Sequence, residues 1–169
     1  MRTRTVLAVP TAVAALALTT PQSWAAPSAA VCPEKAVVVS AAATADPTVI
    51  HLGVTNRSAR HCAVDRFPTV VFGDLDGPAV PVPPAESASY RLGPGRTAYA
   101  ALRTVVDPAD PRVRRVGTVG VAAAPSHHGR TFTAREIGAG DAVLVWEPVT
   151  TWWQPSAAAA DEALADAAG

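Results

Sequence analysis

Trp146, Trp152 and Trp153 fall close together near the C-terminal end of the chain. Indole rings exposed on a surface stack on sugar rings or anchor protein partners. These three are therefore the candidate binding surface. The competing reading is that they close the open end of the fold. Histidines form the second group. His127 and His128 lie in the run Pro125-Ser126-His127-His128-Gly129, and His61 lies upstream. Adjacent residues on a strand point to opposite faces, so His127 and His128 chelate one ion poorly unless a turn curls them. A metal site built from His61, His127 and His128 is the weaker alternative. A blue-copper site needs two histidines and a cysteine, usually with an axial methionine. The single methionine is Met1.

Other motifs fail on their own chemistry. Asp74-Leu75-Asp76-Gly77 begins like a calcium loop, but Ala79 and Ala85 stand where Gly and Glu are required. No G-x-S-x-G elbow is present, and no Ser/His/Asp set is suggested. In Gly93-Pro94-Gly95 the proline lacks an N–H that a phosphate cradle would use. Arg112, Arg114 and Arg115 read as a solvated strand edge. The expectation is a protein that is not an enzyme and carries no cofactor.

Cys32 and Cys62 are the two cysteines. They have no C-x-x-C spacing and one possible pairing, which points to a structural disulfide. Such a bridge stabilises by roughly 3–4 kcal/mol in the chain-entropy account. Oxidation requires export, and the N-terminus carries an export layout. Arg2 and Arg4 supply positive charge, Val6 to Leu18 a short apolar core, and Ser23-Trp24-Ala25 small residues at the −3 and −1 positions. A membrane span needs roughly 20 apolar residues, so this reads as a cleavable signal peptide over residues 1–25, cut near Ala25. Val31 before Cys32 and the distant apolar run argue against a lipid anchor. The remaining chain has twelve basic and fourteen acidic residues, a formal charge of −2. It has no electrostatic footprint for nucleic acid or anionic lipid. A secreted monomer without a transmembrane anchor is expected.

The elements that must position these residues are short strands. Sixteen prolines and eleven glycines disfavour long helices. Val49–Asn56 alternates, with Ile50, Leu52 and Val54 on one face. Strands are also expected over 36–42, 69–74, 87–92, 97–105, 115–122, 130–135 and 142–148, with 80–84 an edge segment because of its prolines. About eight short strands without intervening helices predict an all-β antiparallel sandwich over residues 26–155. Ser156 to Gly169 is Ala-rich and acidic, with Leu164 its one large apolar residue. A helix this short is marginal in water, so a disordered tail is expected over 156–169.

Val54-Thr55-Asn56-Arg57-Ser58 followed by Cys62, Phe67 and Pro68 resembles a segment of the domain-of-unknown-function family 4232. Arg91-Leu92-Gly93-Pro94-Gly95-Arg96-Thr97-Ala98 resembles that family's turn, and Val119–Ala123 with Pro125 fits its next strand. The resemblance implies exported proteins of high-GC Gram-positive bacteria, an immunoglobulin-like β-sandwich, and a bond from Cys32 to Cys62. It implies no activity and no catalytic residues. Residues and resemblance together predict a secreted, non-catalytic sandwich module that binds a cell-wall component or another exported protein. The alternative is a small metal protein or enzyme using His127 and His128.

Overall fold

The computed structural model describes residues 30–84 and 88–167. The expected signal peptide and its cleavage point lie outside the described residues. Twelve strands are described: β1 (Val37–Ala43), β2 (Val49–Asn56), β3 (Cys62–Asp65), β4 (Thr69–Phe72), β5 (Val80–Val82), β6 (Ser89–Leu92), β7 (Thr97–Arg103), β8 (Arg114–Val116), β9 (Thr118–Ala122), β10 (Arg130–Thr133), β11 (Val143–Val145) and β12 (Val149–Thr151). One α-helix follows, α1 (Ala157–Asp166). The fold is all-β, as its strand spacing predicts, with more and shorter strands than the eight expected. Arg115–Ala122 is not one strand: Gly117 separates β8 from β9, and each joins a different sheet.

The largest sheet has the order β1-β2-β7-β12-β5. Its pairs are antiparallel except β5 with β12, which run parallel. Proline-containing β5 lies at an edge, where a missing N–H costs no ladder bond. A second sheet has the order β10-β9-β4, and β8–β11 and β3–β6 form two ribbons. The core lies between them. Ile50, Leu52 and Val54 of β2 and Ala98, Ala100 and Leu102 of β7 meet Val70 and Phe72 of β4, Val119 and Val121 of β9, and Phe132 of β10. The period-2 alternation of β2 is thus realised as one buried face of a sandwich-like fold.

Cys32 and Cys62 form the expected disulfide. It fastens the N-terminal segment to β3, where the Cys32 amide also donates to the Ala63 carbonyl at 2.8 Å. Gly129 closes the turn between β9 and β10 at φ +69°, and a side chain there would overlap the Val121 carbonyl oxygen.

The C-terminal segment departs from expectation. Rather than a disordered tail, residues 157–166 form α1, with the Ser156 hydroxyl capping the Ala159 amide at 3.1 Å. Ala160 and Leu164, one turn apart, are buried against Ala101 on the outer face of β7. Val49, Val82, Tyr99 and Val149 pack around them. The middle of β7 is therefore covered on both faces: by the core on one and by α1 on the other. No helix among the described residues is long and apolar enough to cross a membrane.

Candidate functional site

The three tryptophans do not share one surface. Trp153 is buried in the core at 2% exposure, and its amide donates to the Arg66 carbonyl. Period-2 alternation past Thr151 turns Trp152 outward and Trp153 inward. Trp153 therefore takes no part in a binding surface. Trp152 is half-buried; its indole N–H donates to the Pro83 carbonyl at 2.9 Å, and the Arg66 guanidinium lies 4.2 Å from its ring centre. Those contacts pin it flat beside the end of β5.

Trp146 lies at the other end of the β5–β12 pair and walls a cleft of about 260 Å³. Its backbone is held by a hydrogen bond from the Trp146 amide to the Thr104 carbonyl at 2.9 Å. Phe72, Leu75 and Pro78 form the apolar side of the cleft; Asp76, Arg114 and Glu147 bring charge. Glu147 adopts φ +48°, a left-handed conformation rare for a residue with a side chain. Such strain persists where surrounding structure imposes it.

Arg112 orders the indole from above. Its guanidinium sits 4.6 Å from the Trp146 ring centre. Asp110 fixes that guanidinium by a forked contact, Nε to Oδ1 at 3.0 Å and a terminal nitrogen to Oδ2 at 2.7 Å. The Arg112 amide also donates to Asp110 Oδ1 at 2.8 Å. The side-chain bond from Arg112 holds the Asp110 carboxyl down at about 2, with the Arg112 amide adding to it. Arg112 is raised in turn, first by Asp110. The pair stays charged at neutral pH. Arg112, Arg114 and Arg115 are exposed, as the solvated-edge reading expects, and Arg114 also lines the cleft while Arg112 lies over Trp146. Glu147 carries no sequence signal for its conformation, because glycine or asparagine is the usual mark of positive φ.

The histidines are dispersed among other partners. His127 Nε2 lies 3.1 Å from the Cys32 carbonyl, and His128 Nδ1 lies 3.1 Å from Glu34. His61 is exposed beside Gly93. Among the described residues no three His, Cys, Asp or Glu side chains form a group that could hold a metal. The hydrogen bond from His128, then that from the Gly129 amide, holds the Glu34 carboxyl below its ordinary value.

The motif residues that suggested a family make a buried hydrogen-bonded joint. Asn56 is fully buried. Its Nδ2 donates to the Arg60 and Leu92 carbonyls at 2.8 and 3.2 Å, and its Oδ1 accepts from the Ser58 amide and hydroxyl. Its backbone bonds the glycine turn: the Asn56 amide donates to the Arg96 carbonyl and the Gly95 amide to the Asn56 carbonyl. The family described as Domain of unknown function (DUF4232) matches residues 32–153, well over half of the chain. The chain belongs to the DUF4232 family. No curated protein and no solved structure matches it. In this DUF4232 chain the Asn-x-Ser and Gly-Pro-Gly motifs join the end of β2 to the β6–β7 turn. Their chemistry is structural: they satisfy buried polar backbone. The Trp146 cleft lies inside the matched DUF4232 segment, whereas α1 lies beyond it.

Proposed function

We propose that this DUF4232 chain is an exported, non-catalytic, immunoglobulin-like sandwich module that binds a cell-wall component or another exported protein through the Trp146 cleft. The carrying observation is the half-buried indole held by the Asp110–Arg112 fork beside a cleft of mixed apolar and charged lining. An ordered aromatic loses little freedom on binding, which favours its use as an anchor. The export layout of residues 1–25 and the disulfide support an extracellular setting. The alternative, a metal protein or enzyme using His127 and His128, meets rings that already have partners within the protein.

Sedimentation with purified cell walls, and binding to individually purified exported proteins, test the reading. Trp146→Ala should weaken retention by about tenfold or more, the scale of a buried aromatic anchor, while the melting temperature stays close to that of the parent. Unchanged retention would remove the cleft from the function. Failure of the parent protein to bind any of these would end the module reading.

A further inference from the structure

A second cleft, of about 460 Å³, opens on the other side of the large sheet, where α1 folds over the ends of β2 and β7. It shares no lining residue with the Trp146 cleft. Its size falls in the range of small-ligand sites, roughly 300–1,000 Å³. Val49, Leu164 and Ala165 give it an apolar wall.

Among its charged residues Arg103 stands out for what it does not touch. Arg103 ends β7, and its Nε is shielded from solvent with no hydrogen-bond partner among the described residues. Its guanidinium enters no ion pair among them. Shielded cationic donors are costly to leave unpaired. Two carboxylates line the same cleft, Asp46 and Asp161. Each uses Oδ1 within the protein: Asp46 accepts from the Thr48 amide and hydroxyl at 2.8 and 2.7 Å, and Asp161 lies 2.7 Å from His51 Nε2. Oδ2 of each has no partner among the described residues. The Thr48 hydroxyl, then its amide, holds the Asp46 carboxyl low, so it is an anion at neutral pH.

One cation and two anions thus face one cleft without joining each other. A simple anion would meet the two carboxylates, and a simple cation would meet Arg103. We propose that the cleft binds an apolar zwitterion, an α-amino acid or dipeptide. Its carboxylate pairs with Arg103, its ammonium with the free oxygens of Asp46 and Asp161, and its side chain lies against Val49 and Leu164. No covalent step is involved.

Amide chemical shifts of the labelled protein, titrated with L-leucine, leucyl-leucine, N-acetyl-leucine and leucinamide, test the proposal. Saturable shifts at Val49, Leu164 and Ala165 are expected with leucine or with leucyl-leucine, and which of the two responds decides between amino acid and dipeptide. N-acetyl-leucine and leucinamide should bind about tenfold or more weakly, since each lacks one charged contact. Arg103→Gln should weaken the zwitterion by a similar factor. If that variant does not fold, Asp46→Asn serves: it should weaken leucine or leucyl-leucine and leave N-acetyl-leucine unaffected. Absence of saturable shifts with either zwitterion would overturn the proposal. So would leucinamide or N-acetyl-leucine binding as tightly as leucine and leucyl-leucine, or unchanged affinity in the folded variant.

Discussion

At the scale of single residues, the Trp146 cleft depends on a short relay. Asp110 grips Arg112, and Arg112 lies over the indole. The folded pKa of Asp110, about 2, is below the ordinary 3.8. The stabilising effect of this contact is therefore complete above the unfolded value and is lost as pH falls through the folded one. Carboxyl carbon shifts followed by NMR should show Asp110 titrating near 2, and Arg112→Gln should return it toward 3.8. An Asp110 that titrates at its ordinary value in the parent protein would remove the fork from the account. Arg112 is exposed and Asp110 only partly buried, so the relay orders a side chain and adds little to global stability. The sequence makes the tryptophans visible but not their directions. Trp152 and Trp153 are adjacent, and which of them faces the core depends on the phase of β12, a strand of three residues with no alternation long enough to read. Arg103 carries no sequence signal at all. Its significance arises when α1, distant in sequence, closes over it.

At the scale of elements, the long alternating strands were legible, as were short ones bounded by clear turn residues, such as β4 and β10, whereas β3 and β12 were not. Val49–Asn56 agrees with its expected bounds because three large apolar residues fall on one face. β3 and β12 escape because four or three residues hold too few alternations, and their register is set by partners. α1 escapes for a different reason. Its isolated stability is poor, since a short Ala-rich segment pays a nucleation cost with few contacts of its own. Tertiary packing reverses that: Ala101 is small enough to admit Ala160, and Leu164 fills the space beyond. Leu164→Ala should therefore lower unfolding free energy by about 2–3 kcal/mol, the lower part of the range for buried leucines, because the site is shallow. Urea denaturation followed by circular dichroism measures it. A loss below about 0.5 kcal/mol, the size of an ordinary surface change, would show that α1 contributes no packing.

At the scale of the whole molecule, family, sandwich-like fold and disulfide follow from sequence patterning, while the proposed ligands depend on clefts that need the folded chain. The proposal of export belongs to this scale too. Native mass spectrometry of the protein from its producer's culture medium should give the mass of residues 26–169 less two hydrogens, as a monomer. A mass that retains residues 1–25 would contradict the signal-peptide reading, and a stoichiometric metal adduct would revive the histidine site. α1 bears on how such proteins are divided. The family pattern stops at residue 153, yet the cover of β7 begins at Ala157. A chain trimmed to the matched residues would keep every signature motif and lose one wall of its architecture. Ala101, Tyr99 and Val149 would then face water, leaving a sticky patch in the middle of the large sheet. The boundary drawn by shared sequence is not the boundary of the packed structure, and in this protein the piece left over is the one that helps wall the second cleft.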